Sequence, residues 1–165
     1  GPLDFLVNSA SLFPGGRLLD TPSQDVHSLI DVNAVAPLYA ARRFVGQGRS
    51  GAIVNLLDAR IEDYDREHFA YHLSKRMLYD LTRMMALEFA PIVRVNGVAP
   101  GLVLAPEGKD IDYLESLRHT NPLHAFGAAE DVTSAVLFLL KSDFVTGQVV
   151  FVDGGRNLRG SVYGC

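Results

Sequence analysis

Three runs of β-branched and apolar residues, 52–57 (AIVNLL), 93–99 (VRVNGVA) and 148–152 (QVVFV), are separated by longer stretches whose apolar residues recur at helical spacing. Continuous apolar character, as opposed to alternation, marks strands buried on both faces. Residues 5–7 form a shorter fourth run. Strands alternating with helices imply βαβ units, so the expected fold is α/β, with a parallel sheet, right-handed crossovers and helices on both faces.

The first helical pattern opens at Thr21-Pro-Ser-Gln24 and continues towards Phe44. Thr21 suits a cap, Pro22 the first helical position and Gln24 a return hydrogen bond. Residues 69–89 place Leu73, Met77, Leu81, Met84, Met85 and Glu88 or Phe89 at helical spacing and stop before Pro91. A third pattern opens near Glu130-Asp131 and carries Val132, Ala135, Val136 and Leu139. Two loops, 58–67 and 101–110, leave the C-terminal ends of strands, where open α/β sheets bind ligands.

Composition narrows the function classes. With 48% hydrophobic and 21% charged residues, the 165-residue chain is expected to form a single globular domain, 1–165. Net charge is −4 and the fifteen Lys and Arg are scattered, so no nucleic-acid partner is expected. No apolar run approaches the ~20 residues that span a bilayer, and no membrane association is expected. The single cysteine, Cys165, excludes an internal disulfide framework and fits a reducing, cytoplasmic setting.

Some motifs are set aside. Gly46-Gln-Gly-Arg-Ser-Gly51 has the G-x-G-x-x-G spacing but follows a helix and leads into a strand, the reverse of a dinucleotide fingerprint, and reads as a turn. His68 and His72 lie four apart without a third suitably spaced ligand, so they are expected to be solvated and no metal is expected. Asp153-Gly-Gly155 reads as a strand-ending turn.

Tyr71 and Lys75 share one face of the second helix. An ammonium there stabilises a tyrosinate and lowers a phenol pKa from its ordinary ~10, making Tyr71 a proton donor or acceptor near neutral pH. The pair follows the strand at 52–57, precedes Arg94-Val-Asn-Gly-Val-Ala-Pro-Gly101, and accompanies Asn8-Ser-Ala-Ser11.

In this combination the chain resembles the short-chain dehydrogenase/reductase family over essentially its whole length. Leu6-Val-Asn-Ser-Ala10 is similar to the family's Asn-Asn-Ala-Gly strand end, Asp31-Val-Asn33 to its helix-four asparagine, and Phe144-x-Thr-Gly147 with Val152-Asp-Gly-Gly155 to its last strand. The resemblance implies the C-terminal part of a doubly wound, Rossmann-type parallel sheet and a nicotinamide cofactor, NADPH. It implies that Tyr71 is the acid/base, that Lys75 holds the nicotinamide ribose and depresses the tyrosine pKa, and that Asn33 anchors a proton-relay water. Cofactor contacts are implied for Asn8, Ser9, Ala10, Tyr71, Lys75, Pro100, Gly101, Leu102 and Val103.

One departure is informative. The family places a serine about thirteen residues before the tyrosine to hydrogen-bond a carbonyl, whereas this chain has Asp58 there and no serine or threonine at 52–69. A carboxylate accepts hydrogen bonds and donates none unless protonated, which suits gripping an amino-pyrimidine or relaying protons to a ring nitrogen better than polarising a ketone. Aspartate here resembles the pteridine and dihydromonapterin reductases, as does Asn8-Ser-Ala-Ser-Leu-Phe13. That subgroup implies substrate contacts for Ser11, Phe13, Asp58 and Tyr71, with Phe13 stacked on the pterin. The implied reaction is hydride transfer from NADPH to a pterin or dihydrofolate-type C=N bond, the proton coming from Tyr71 with Asp58 relaying, or from Asp58 itself.

Two alternatives stand beside it: a carbonyl or 3-oxoacyl reductase of the same family, and a non-catalytic cofactor-binding module. The family's helix bearing the tyrosine packs against partner subunits, so a homo-oligomer, dimer or tetramer, is expected. A dinucleotide-binding sheet begins with a strand, a Gly-rich turn and a helix, and nothing before Leu6 supplies them. The first βαβαβ half is therefore expected to belong to a longer protein.

Overall fold

The computed structural model describes residues 1–63, 66–106 and 108–158. Cys165 lies outside them. Among the described residues, β1 (Phe5–Asn8), β2 (Gly51–Leu56), β3 (Val93–Pro100) and β4 (Val149–Val152) form one sheet in chain order, every neighbouring pair parallel. This is the expected α/β architecture, reached because the runs of β2 and β3 are too apolar to leave a face in water.

Helices cover both faces. The run expected from Thr21 to Phe44 is α1 (Ser23–Ile30), a π-helical turn (Asp31–Val35) and α2 (Ala36–Val45), wound without interruption. Its start differs from the sequence reading: Pro22 is the N-cap, and the Thr21 hydroxyl donates to the Arg17 carbonyl at 2.8 Å and caps nothing. After β2 comes α3 (Phe69–Phe89), with the expected bounds. After β3 comes α4 (Ile111–Leu117), which periodicity did not reveal, and then α5 (Ala129–Lys141).

Packing follows the pleat. Ile53 of β2 and Val93 and Val95 of β3 meet Ala41 and Phe44 of α2 and Met85 and Ala86 of α3. On the opposite face, Ala52, Val54 and Val98 meet Leu139 and Leu140 of α5. Arg94 ties α5 to the sheet: its guanidinium donates 2.9 Å hydrogen bonds to the carbonyls of Leu139 and Leu140, satisfying acceptors that the end of a helix leaves open.

The buried face of α3 is not the one its large apolar residues mark. Leu73, Met77 and Met84 are exposed, as is Leu87, whereas Ala70, Tyr71, Ser74, Lys75, Leu78, Thr82, Met85 and Ala86 are buried. Small side chains bring the helix close to the sheet, and its polar groups find partners there. Asn8 Nδ2 donates to Asn55 Oδ1 at 2.8 Å, Asn55 Nδ2 to Thr82 Oγ1 at 2.9 Å, and Thr82 Oγ1 to the Leu78 carbonyl at 2.7 Å. This chain crosses β1 and β2 and ends on α3 with each buried amide satisfied. β1 has no partner on its outer side among the described residues, and Phe5 and Val7 are exposed there.

Candidate active site

The parallel sheet brings the ends of all four strands to one edge, and α3 begins beside it. Tyr71 and Lys75, one turn apart on α3, are both buried there. The Tyr71 hydroxyl donates to Asp58 Oδ2 at 2.8 Å, and Lys75 Nζ donates to the Leu56 carbonyl at 2.9 Å. Asp58 is fixed in turn, because its Oδ1 accepts the Arg60 backbone N–H at 2.7 Å.

Electrostatics give the two groups of α3 different tasks. Burial first, then the Asp58 charge and the hydrogen bond to it, push the Tyr71 phenol well above its ordinary range. The Lys75 ammonium, expected to lower the phenol, lies 5.8 Å from the ring centroid, and burial beside a carboxylate sets the direction here. Tyr71 is thus held as a neutral phenol. Burial brings Lys75 down to about 8, opposed by Asp58, whose charge favours the cation.

Phe13 reaches the same place from the loop after β1. Its ring stacks on His68 at 4.4 Å between centroids, 7° from parallel, and meets the Tyr71 ring edge-on at 4.5 Å. Backbone hydrogen bonds hold this loop against the start of α3, Gly16 N to the Glu67 carbonyl at 2.6 Å and Phe69 N to the Gly16 carbonyl at 3.3 Å. Neither histidine is simply solvated as expected. His68 packs on Phe13, and His72 is buried with its ring edge-on to Tyr71. Among the described residues no group of three or more His, Cys, Asp or Glu is placed to hold a metal ion.

Asn33 stands in the π-helical turn, fully buried. Its Nδ2 donates to the Leu12 carbonyl and to Ser74 Oγ at 3.0 and 2.9 Å, and its Oδ1 accepts from Leu12 N at 2.8 Å and from Ser11 Oγ at 3.4 Å. All of the amide is engaged in fastening the 11–12 segment to α3.

A cleft of about 550 Å³ joins most of these groups. Ser9, Ser11, Phe13, Asp58, Tyr71, Lys75, Pro100, Gly101, Leu102 and Val103 line it, while Asn8, Ala10 and Asn33 stand outside its wall. Tyr113 of α4 and Arg156, neither singled out from the sequence, line it too. Arg156 opens a 3₁₀ turn (Arg156–Leu158) immediately after Gly154 and Gly155, whose φ angles of 64° and 82° favour glycine. Asp153 locks that turn by accepting from Gly155 N and Asn157 N at 2.9 and 2.7 Å. The strand-ending turn read at 153–155 thus also aims a cation into the cleft.

Comparison with known proteins agrees with this geometry. The family described as enoyl-(acyl carrier protein) reductase matches residues 1–157. Carbonyl reductase family member 4 of Xenopus tropicalis is 37% identical over 163 residues, covering 96% of this chain and 69% of the relative. Pteridine reductase 1 of Leishmania tarentolae is 34% identical over 185 residues, covering 96% of the chain and 64% of the relative. Among solved structures, FolM alternative dihydrofolate reductase 1 from Brucella canis, complexed with NADP, superposes with a TM-score of 0.90 at 29% identity, covering 96% of this chain and 64% of that one. The chain spans about two thirds of the length of these proteins.

Proposed function

Because this chain belongs to the short-chain dehydrogenase/reductase family of nicotinamide-dependent oxidoreductases, we propose that it carries the catalytic half of an NADPH-dependent reductase acting on the C=N bond of a pterin or dihydrofolate-type ring. The observation that carries the reading is the 2.8 Å hydrogen bond from Tyr71 to Asp58, with a carboxylate where a ketone-reducing site needs a donor.

The residues present fit the cofactor. Lys75 is buried with one of its three ammonium donors on the Leu56 carbonyl, which leaves others for ribose hydroxyls. Ser9, Pro100, Gly101, Leu102 and Val103 line the same cleft as Lys75 and would help to hold the cofactor. When bound, NADPH supplies the hydride. The chain's own residues manage the proton. Tyr71, held neutral, is the proton donor to the ring nitrogen with Asp58 orienting its hydroxyl and relaying a proton to it, or a protonated Asp58 supplies the proton itself. Phe13 and Ser11 line the same cleft and would offer an aromatic and a hydroxyl contact to a flat heterocycle.

NADPH oxidation by the full-length protein, measured on dihydropterins and on ketones in parallel, tests this reading. Turnover of dihydropterins is expected; turnover of ketones alone sinks it and favours the carbonyl-reducing alternative, which the 37% identity to a carbonyl reductase supports. The exposed apolar stripe of Leu73, Met77, Met84 and Leu87 along α3 supports a homo-oligomer built on that helix.

A further inference from the structure

We infer that Arg156 is a specificity-determining residue, receiving a carboxylate of the substrate and so favouring a carboxylated, folate-type substrate over an uncharged dihydropterin. The inference rests on the pterin-ring reading above and names the substrate class within it.

The guanidinium is half-buried in the wall that also carries Asp58, Phe13 and Tyr113, and it makes no hydrogen bond or ion pair with any described residue. Its neighbours are already engaged. Arg60 donates to Asp63 at 3.0 Å through both Nε and Nη2, and Asp58 accepts from Tyr71 and from the Arg60 backbone. The planar fork of Arg156 lines the cleft with its donors unmatched by any described residue. A planar guanidinium matches a carboxylate through two parallel hydrogen bonds.

Burial followed by the Arg60 charge disfavours the Arg156 cation, while Asp58, Tyr113 and Asp63 favour it, and an incoming carboxylate would add to that support. The turn is built to hold this placement. A Cβ on Gly154 would stand 2.7 Å from Asn121 Oδ1 and one on Gly155 3.1 Å from Pro122, so the backbone leading to Arg156 has little freedom.

The test uses the full-length protein with NADPH and compares dihydrofolate with a dihydropterin lacking any carboxylate, for the wild type, Arg156→Gln and Arg156→Lys. The wild type should prefer dihydrofolate. Losing one charge-assisted pair should lower the selectivity, as a ratio of kcat/KM values, by roughly ten- to a hundredfold in Arg156→Gln, mainly through KM. Arg156→Lys should restore part of it. Calorimetric binding of folate to the NADP-loaded protein should weaken in step. Equal losses on both substrates, a rise in the KM for NADPH in place of the substrate's, or unchanged selectivity would each overturn the assignment. If the wild type reduces only ketones, the pterin reading falls. A 3-oxo acid compared with its neutral amide then decides Arg156 alone: selectivity lost in Arg156→Gln supports it, and selectivity kept overturns it.

Discussion

The Tyr71 hydroxyl donates to Asp58 Oδ2 across 2.8 Å, joining the first turn of α3 to the loop that leaves β2. The bond makes the phenol a donor with a defined direction and makes its neighbour an acceptor. Tyr71→Phe removes that proton with little loss of volume. Turnover of the full-length enzyme should fall by about 10²- to 10⁴-fold. The circular dichroism spectrum should be unchanged; loss of fold alongside activity would leave Tyr71 as a packing residue only.

Asp58 divides the proposed substrates. Asp58→Ser supplies the hydroxyl donor that ketone reduction needs and takes away the carboxylate proposed to relay protons towards a ring nitrogen. Activity on dihydropterins should drop while activity on ketones rises, and a variant that keeps its pterin rate argues against any role for the carboxylate. Asp58→Asn also removes the charge that favours the Lys75 cation. The fall of kcat/KM with the deprotonation of Lys75, expected near pH 8, should then begin at lower pH.

The same two groups predict how stability changes in alkali. Lys75 is lowered from 10.5 to about 8 by burial, so between those values the unfolded chain binds more protons than the folded one and stability rises with pH. Tyr71 is raised, so above its ordinary value of about 10 the unfolded chain has lost a proton that the folded one keeps, and stability falls. Melting temperatures followed from pH 7 to 11 should show the rise vanish in Lys75→Met and the fall vanish in Tyr71→Phe.

Asn33→Ala should destabilise the protein and free the loop before α1. The substitution leaves the half-buried Leu12 backbone groups without their partner and removes the donor that the buried Ser74 Oγ accepts from. The loss should be about 2–4 kcal/mol, or a Tm lower by roughly 4–16 °C. Limited proteolysis should cut within 12–20 sooner than in the wild type.

Met84→Glu and Leu87→Arg place charges on the exposed stripe of α3. Sedimentation velocity should show a homo-oligomer for the wild-type full-length protein and smaller species for these variants. A monomeric wild type removes the basis for the oligomer.

Strands and the bounds of α3 are legible in the sequence because β-branched runs and a Pro stop are local signals. Which face of α3 turns inward is not, since Tyr71, Ser74, Lys75 and Thr82 are buried by virtue of partners on other elements. The π-helical turn at Asn33 hides for the same reason: only the Leu12 backbone and Ser74, far away in the chain, explain it. α4 carried a readable cap, Asp110 accepting from Asp112 N at 3.1 Å, but its seven residues are too few for periodicity to register. Arg156 was hidden by a turn whose two glycines signal a strand end and give no hint of direction.

The amide pair of Asn8 and Asn55 fixes more than the join between two strands. Because Asn8 lies opposite Asn55, sliding β1 by one residue would set Val7 or Ser9 against that amide and reverse which way every side chain on the strand points. Phe13 follows only five positions further along, on a loop hung from that strand end. The separation between the aromatic wall and the tyrosine is in this sense written in strand alignment, and an Asn55→Leu substitution distant from the reacting atoms would loosen the ruler by which the cleft is measured.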